Sequence, residues 1–412
     1  MTSADPGPLS MDVDADSWVE FWNRLDEPPA DALTDAREQA VRAHVREVVG
    51  RDVAPRASRA DLEHRFVDES IAALARAGLT GLLIPEEYGG TDDSHVSYAL
   101  AVEEIALGCG ATSLVYMTQM HAAYPILSAG STELAKQYVP GLVTCETYGS
   151  LGITEPDAGS DAASLRTRAT PSPDGSRYQI RGSKIFITTG DRADVIICFA
   201  TVDPAAGHRG ITAFVMTGDS PGLRAGEPLR KMGMHGSSTA ELFFDDVDVP
   251  SDHRLGAEGE AWSILMRSVV KSRISAAAQG VGLARAAYGR ALATLRLLHG
   301  RSIPQDAQFA LADLRGRILQ GRLLLLSVAR RIDTTGTAST GQVGMMKQHC
   351  TDLGWHAAVE AVRLLGPHGD LVDLGVERCL RDVKVTQIYD GTNEVQRLLI
   401  ARDTEHTMKE LR

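Results

Sequence analysis

Several features that would point to particular protein classes are missing from the sequence. Its five cysteines are scattered without a C-x-x-C pair, which argues against a disulfide framework or zinc ribbon and fits buried thiols in a reducing compartment. No apolar run approaches the ~18 residues needed to span a bilayer. The N-terminus lacks the positive region and apolar core of a secretory signal. We therefore expect a cytoplasmic protein.

Sequence motifs of several common enzyme classes are also absent. No H-E-x-x-H, P-loop or G-x-S-x-G pattern occurs, which excludes zinc protease, NTPase and ordinary serine hydrolase interpretations. The twelve histidines show no ligand spacing, so no metal site is predicted. G-V-G at 280–282 has Arg285 at the third glycine position of a dinucleotide fingerprint and follows no strand, so helix packing is the favoured interpretation.

The negative charge is concentrated at the N-terminus. The net charge is -12, and residues 1–35 hold nine acidic residues against Arg24 alone, a net of -8 that leaves only -4 for the rest. This balance argues against a nucleic-acid partner, while the body can still present basic patches to an anionic ligand. Residues 1–30 are predicted to be an acidic arm, interrupted by a short helix around Trp18 and Trp22 that docks on a neighbour.

The spacing of apolar residues changes twice along the chain and predicts three domains. Residues 31–150 show helical spacing, 151–256 show β-branched and aromatic runs, and 257–412 return to helical spacing. The predicted helices are 36–49, 71–77, 96–107, 112–127, 131–140 (stopping before Pro140), 308–332, 342–365, 376–387 and 393–409. The predicted strands are 177–181, 184–188, 194–201, 211–216 and 241–249.

These patterns predict an α+β fold, mainly α. It has an N-terminal helical domain, a middle antiparallel β-domain with a hairpin tip at 173–176, and a C-terminal domain resembling a four-helix bundle. The last domain opens with an apolar face at helical spacing, formed by Trp262, Leu265, Met266, Val269 and Val270.

Two stretches carry candidate chemistry. In Q-I-Y-D-G-T-N-E-V-Q-R (387–397), Asp390 lies on an Asp-Gly turn before a helix, where a carboxylate is either a local hydrogen-bonding device or a catalytic base. In G-I-T-E-P-D-A-G-S-D-A-A-S (152–164), the hydroxyls of Thr154 and Ser160 and several backbone N–H groups can bind an oxygen-rich ligand. A plain polar loop is the alternative there.

The second of these stretches resembles the first signature of the acyl-CoA dehydrogenase family. K-I-F-I-T-T-G (184–190) resembles the family's next strand, and K-M-G-M-H-G-S-S-T-A-E-L-F-F-D-D-V-D-V-P (231–250) the end of its β-domain. L-L-G-P-H-G-D-L-V-D-L-G-V-E-R-C-L-R-D (364–382) resembles the second signature, and 388–397 the active-site loop. The matches keep the family's order from about residue 35 to 405 and agree with the predicted domain order.

The resemblance implies FAD as the cofactor and a homo-oligomer, a dimer or tetramer. Arg296 then contacts the FAD pyrophosphate of a neighbouring subunit, where a guanidinium fork suits phosphate oxygens. The other residues implied to bind FAD are Ile153, Thr154, Ser160, Phe186, Thr188, Gly366, Thr392 and Glu394. Those implied to bind substrate are Ser160, Arg273, Tyr389 and Gly391.

The implied reaction removes an α-proton and a β-hydride from an acyl thioester, on CoA or a carrier protein, with an electron-transfer flavoprotein as the acceptor. Asp390 is the implied base, although most family members have glutamate there and the family's second glutamate position holds Ser272. Three explanations stay open: the backbone has moved, the substrate differs, or the protein has left dehydrogenation. The alternatives are therefore a flavin monooxygenase or oxidase, and a non-catalytic paralogue.

Overall fold

The computed structural model describes residues 15–25 and 32–410. Within them a helical N-terminal part, a β-sheet and a helical C-terminal part follow one another, so the predicted α+β, mainly helical fold is confirmed. The N-terminal helices are α1 (Ala15–Leu25), α2 (Ala36–Val48), α3 (Ala54–Leu62), α4 (Asp68–Arg76), α5 (His95–Gly108), α6 (Gly110–Ala129) and α7 (Thr132–Thr144).

The predicted short helix of the acidic arm is α1, and the rest of that arm, 1–14 and 26–30, lies outside the described residues. Trp18 and Trp22 are buried in the core of this chain. A Cβ on Gly289 would lie 2.2 Å from the Trp22 ring, so a glycine is needed where the indole packs. Helix α1 thus docks on its own chain.

Helices α5 and α6 are buried on nearly all sides. On α5, Glu103 and Glu104 are fully buried, a position that carboxylates occupy only when paired. The Arg285 Nη1 atom lies 2.6 Å from Glu103 and the Arg46 Nη2 atom 2.6 Å from Glu104. Burial raises the pKa of Glu104, but arginines around it hold that pKa well below its ordinary value. This cluster ties the N-terminal helices to the C-terminal ones.

Proline does not end α7 as the sequence had suggested. The helix continues through Pro140 to Thr144, and the predicted stop is wrong. A proline removes one N–H donor and releases the carbonyl four residues earlier. That residue is Lys136, which is exposed, so water can satisfy the released carbonyl.

The middle part is one eight-stranded sheet. Its strands are β1 (Gly149–Gly152), β2 (Arg168–Pro171), β3 (Arg177–Thr188), β4 (Val195–Thr201), β5 (Ile211–Thr217), β6 (Leu223–Ala225), β7 (Thr239–Pro250) and β8 (Arg254–Leu255). The order is β6-β7-β3-β2-β4-β5-β8, and β1 pairs with β4. The predicted hairpin at 173–176 joins β2 and β3.

Strand pairing differs from the prediction in two respects. Most pairs are antiparallel, but β1 pairs with β4 in parallel register, Gly149 opposite Val195, and β2 touches β4 in parallel. The two runs predicted as separate strands at 177–181 and 184–188 form the single strand β3. Register shifts against β7 after Ile180 and after Lys184 interrupt its apolar alternation, because each β-bulge turns the following side chains to the other face.

The C-terminal part is a helical bundle. Its helices are α8 (Ala261–His299), α9 (Gln305–Thr335), α10 (Thr340–Leu365), α11 (Val376–Val383) and α12 (Asn393–Glu410). The predicted packing role of the glycines in G-V-G is confirmed: Cβ atoms on Gly280 and Gly282 would lie 2.6 Å from the Cys350 oxygen and 2.4 Å from the Glu103 oxygen. Among the described helices, none has the length and apolar character required to cross a membrane.

The start of α8 buries most of the apolar face that the sequence predicts. Leu265 is buried, Trp262, Val269 and Val270 pack against the core, and Met266 is 39% exposed. The fold also buries Ala261 and Ser268. The spacing of large apolar residues overlooked the small and polar positions that the fold buries beside Leu265.

Candidate active site

Asp390 lies on a short loop between a 3-10 turn (Lys384–Gln387) and α12. Its φ angle is +56° and that of Gly391 is +86°, so two consecutive residues occupy the left-handed region. Aspartate tolerates this region better than most residues, and glycine favours it. A Cβ on Gly391 would lie 2.8 Å from the Gln396 amide nitrogen. The sequence Asp-Gly therefore suits the backbone that this loop adopts.

Three side chains from three helices hold the carbonyl groups of this loop. Arg273 Nε on α8 donates to the Asp390 oxygen at 3.2 Å. Gln396 Nε2 on α12 donates to the Asp390 oxygen at 3.3 Å and to the Gly391 oxygen at 2.8 Å. Lys347 Nζ on α10 donates to the Gly391 oxygen at 3.0 Å and to Asn393 Oδ1 at 2.9 Å. The base candidate thus stands on a fixed backbone.

The Asp390 carboxylate has unused hydrogen-bonding capacity. Its Oδ2 atom is buried and has no hydrogen-bond partner, which is costly for a carboxylate that only maintains structure. Its charge also acts on buried cations. Burial lowers the pKa of Lys347 to about 8 although the Asp390 charge raises it, and burial lowers the pKa of Arg273 against the same charge.

Two tyrosines on which the Asp390 charge acts are bound to other groups. The Tyr389 hydroxyl donates to Gln279 Oε1, and Gln279 Nε2 donates to the Gly110 oxygen at 3.1 Å and to Ser113 Oγ at 2.6 Å. The Tyr98 hydroxyl on α5 lies 2.9 Å from Ser275 Oγ on α8. Burial raises the pKa of Tyr98, and the nearby Asp390 charge raises it further. The Tyr389 bonds tie the Asp390 loop to α8 and α6, and the Asp390 charge acts on Tyr98 of α5.

The loop after β1 is fixed from beneath by a buried ion pair. Lys184 on β3 and Glu155 lie 2.7 Å apart and are both buried. Lys184 Nζ also donates to the Ile153 oxygen at 3.0 Å, and the Ile185 N–H donates to the Thr154 oxygen at 2.9 Å. These bonds bring Ile153 and Thr154 beside β3, which carries Phe186 and Thr188, the other residues that the resemblance assigns to the same site.

Phe186, the next residue on β3, has an unusual backbone conformation and an exposed side chain. Its φ angle is +60° and its side chain is 64% exposed, although left-handed backbone costs a non-glycine residue ~1 kcal/mol or more. Strained backbone that holds an exposed aromatic ring indicates a binding surface rather than a packing role. Thr188, two residues on and half-buried, pairs with Thr239.

The structure forms two groups from the predicted site residues. Tyr389, Asp390, Gly391 and Arg273 lie together, with Thr392 beside them capping the Val395 N–H at 3.3 Å. Ile153, Thr154, Phe186 and Thr188 form the second group. Exposed Glu394 adjoins the first group through Thr392: hydrogen bonds from its own backbone N–H and from the Thr392 side chain lower the pKa of the Glu394 carboxyl. The remaining predicted residues lie apart from these contacts: Ser160 and Arg296 are exposed, and Gly366 has a φ angle of +52°.

Sequence reasoning missed the residues that hold and surround the loop. Lys347 is fully buried within α10, and neither its spacing nor its neighbours in the sequence mark it as an anchor. Tyr98 and His121 are distant from Asp390 in sequence and reach it only through the packing of α5 and α6. No sequence signal identifies Lys347, because its burial, which is rare for an unpaired lysine, becomes visible only in the packed structure.

Three family models match the chain in order. They are the acyl-CoA dehydrogenase N-terminal domain over residues 35–146, the middle domain over 150–247 and the C-terminal domain over 259–404. An acyl-CoA dehydrogenase of Bacillus subtilis is 39% identical over 367 residues, which cover 88% of this chain and 96% of that protein.

Solved structures agree over nearly the whole length. The butyryl-CoA dehydrogenase of Megasphaera elsdenii has a TM-score of 0.86 at 34% identity and covers 90% of this chain and 98% of its own. A glutaryl-CoA dehydrogenase of Mycobacterium smegmatis, solved in complex with FADH2, has a TM-score of 0.85 at 28% identity and covers 91% and 96%. The chain therefore belongs to the acyl-CoA dehydrogenase family and, with it, to the flavin-dependent oxidoreductases that act on CH–CH groups.

Proposed function

We propose that this protein is an FAD-dependent dehydrogenase that introduces an α,β double bond into an acyl thioester, with Asp390 removing the α-proton. The observation that carries this proposal is the buried, partnerless Asp390 Oδ2 atom on a loop held by Arg273, Lys347 and Gln396. A carboxylate oxygen without a hydrogen-bond partner can accept a proton from a substrate. The anchored backbone fixes the position of that oxygen.

The shorter side chain of aspartate places particular demands on this loop. An aspartate reaches about 1.5 Å less far than a glutamate, and a misplacement of ~1 Å can cost ~10²-fold in rate. The three anchors act on the carbonyl oxygens of Asp390 and Gly391 themselves, so the backbone position sets the reach of the carboxylate. We propose that the anchored loop compensates for the missing methylene and that a glutamate would overreach.

The second group of residues fits a flavin. An exposed Phe186 ring on strained backbone, beside the half-buried Thr188 and the anchored Ile153 and Thr154, forms a surface suited to a planar ligand with hydrogen-bonding edges. The FAD, when bound, supplies the acceptor for the β-hydride. We propose that Thr392, Glu394 and Gly366 contribute further contacts to it and that Ser160 lines the thioester channel.

Under this proposal Arg296 contacts the FAD of a neighbouring subunit, and the protein is therefore a homo-oligomer. This arginine is exposed in the last turn of α8, next to Leu297, which is 59% exposed. A cation flanked by exposed apolar residues suits a subunit contact that also meets a phosphate. Arg296→Ala is expected to lower FAD retention on gel filtration, whereas Arg301→Ala, an exposed arginine just beyond the same helix, leaves it unchanged.

The test is anaerobic mixing of the flavin-loaded protein with saturated acyl thioesters, on CoA and on a carrier protein. Bleaching of the oxidised flavin spectrum, with formation of the 2-enoyl thioester, supports the proposal. Asp390→Asn keeps the shape of the side chain and should reduce the bleaching rate by ~10³-fold or more, as loss of a catalytic base does. A flavin that no thioester reduces while FAD stays bound contradicts the proposal.

The oxygen dependence of the reaction distinguishes a dehydrogenase from the main alternative, a flavin monooxygenase or oxidase. Turnover with an electron-transfer flavoprotein in the absence of oxygen supports a dehydrogenase. A product that forms only after reduction of the flavin by NAD(P)H or a reductase, and only with oxygen, identifies a monooxygenase instead. A flavin that the thioester reduces and that oxygen reoxidises with release of H2O2 identifies an oxidase.

A further inference from the structure

The side chain of His121 on α6 is the starting point. Its Nε2 atom is buried and has no hydrogen-bond partner in the structure. An unsatisfied buried polar group costs ~1–3 kcal/mol, so such an atom in a native protein calls for an explanation. Helix α6 is tied to the Asp390 loop through Gln279, which bonds Gly110 and Ser113 on α6 and the Tyr389 hydroxyl. The Asp390 charge raises the pKa of His121 against the lowering effect of burial.

The other groups that feel the Asp390 charge already have partners. Tyr98 is bound to Ser275, Tyr389 to Gln279, Arg273 to the Asp390 carbonyl, and Lys347 to Gly391 and Asn393. His121 is the exception in this set. Asp390 Oδ2 and His121 Nε2 are thus two buried polar atoms without partners, and Gln396 Oε1, on a side chain that holds the loop, is a third. If Asp390 takes the proton of the substrate, the histidine is left to meet a different polar atom.

The charge of the imidazole decides what it can bind. Burial lowers its pKa below the ordinary 6.5, so the ring is neutral at pH 7 and has one nitrogen that donates and one that accepts. A neutral ring offers no charge to a carboxylate, and Asp390 repels one. An uncharged group that both donates and accepts, such as a hydroxyl, matches the site.

We propose that the acyl group of the substrate carries a hydroxyl, which pairs with His121 Nε2 while Asp390 removes the α-proton. This inference rests on the proposed function and narrows it, because it names the class of acyl group. A plain alkyl chain would fill the same space but leave the imidazole nitrogen unsatisfied. Discrimination between hydroxylated and alkyl substrates is strong in such a site, because an alkyl substrate leaves a buried polar group of the protein without a hydrogen bond, which costs free energy.

The test compares thioesters that differ only by a hydroxyl in place of a methyl group. The pairs are 4-hydroxybutyryl-CoA with pentanoyl-CoA and 5-hydroxypentanoyl-CoA with hexanoyl-CoA, mixed anaerobically with the flavin-loaded protein. At least one hydroxylated member should have a kcat/KM for flavin reduction ~10-fold or more above its alkyl partner. Calorimetric binding of the corresponding 2-enoyl products gives a second readout that needs no turnover.

The variants assign the preference to His121. His121→Leu should invert the ratio in favour of the alkyl thioester, and His121→Gln, which keeps a hydrogen-bonding group, should restore part of the preference. Tyr116→Phe is the matched control, because Tyr116 lies on the same helix and its hydroxyl donates to the Leu79 oxygen at 2.8 Å. Its ratio should equal that of the wild type.

The outcomes are separable. If alkyl thioesters reduce the flavin as well as their hydroxylated partners, or if His121→Leu changes both equally, this inference is overturned while the proposed function stands. If no thioester reduces the flavin or binds, both fail.

Discussion

Replacing Lys347 gives the sharpest prediction, because the structure predicts opposite effects on the stability of the protein and on its activity. Its ammonium group is fully buried beneath the Asp390 loop, and its pKa is about 8 against an ordinary 10.5. That difference corresponds to about 3 kcal/mol by which the charged form opposes folding at pH 7. We therefore expect Lys347→Met to leave the free energy of unfolding unchanged or to raise it by ~1–3 kcal/mol.

The loss of hydrogen bonds does not reverse this expectation. The Gly391 oxygen keeps its bond from Gln396 at 2.8 Å, and Asn393 Oδ1 keeps one from Thr351 Oγ1 at 3.2 Å. Activity should fall even so, because Lys347 no longer fixes the carbonyl beside Asp390. A shift of ~1 Å in the carboxylate predicts ~10²-fold slower flavin reduction.

The pH dependence gives an independent check by urea unfolding. Between about pH 8 and 10.5 the unfolded chain holds a proton on Lys347 that the folded chain has released, so wild-type stability rises relative to the variant as pH increases through this window. Lys136→Met, at an exposed lysine of α7, should change stability by less than ~0.5 kcal/mol. A Lys347→Met protein that is several kcal/mol less stable at pH 7 yet fully active would refute the reasoning.

Further predictions concern residues that position the two groups. Lys184→Met should cost ~3–5 kcal/mol, because it leaves the Glu155 charge buried without its partner, and adding Glu155→Gln should recover part of that loss in the same urea assay. Phe186→Gly should raise the stability of the flavin-free protein by ~1 kcal/mol by removing left-handed strain and weaken FAD binding in a fluorescence titration; tighter binding would contradict the assigned role. Gly282→Ala should lower the melting temperature, since its Cβ would meet the Glu103 oxygen at 2.4 Å, whereas Gly316→Ala, exposed on α9 with nothing within 4 Å, should raise it slightly.

The order of elements was predictable because local patterns determine it. The helical, β and helical stretches, the hairpin at 173–176 and the packing role of Gly280 and Gly282 all follow from spacing, turn chemistry and the absence of a preceding strand. Asp390 was found for a similar reason, since an Asp-Gly turn before a helix lies within a few residues of sequence. Its assignment as a base came from the family resemblance and stays a proposal.

Contacts between distant segments were not predictable from the sequence. His121, Tyr98 and Lys347 surround one carboxylate only because three helices pack around it, and no local pattern records that. The parallel pairing of β1 with β4 and the bulged course of β3 through Phe186 likewise depend on tertiary contacts. Pro140 shows the opposite limit: a strong local signal for the end of a helix is overridden, and α7 continues to Thr144.

The central claim is that Asp390 removes the α-proton, and hydrogen exchange at the α-carbon tests it most directly. The flavin-loaded protein is incubated anaerobically in D2O with an acyl thioester, and deuterium at the α-carbon is followed by NMR. The wild type should exchange the α-proton and Asp390→Asn should not, while the variant still binds FAD and the thioester. Exchange at the wild-type rate in Asp390→Asn would show that another group is the base.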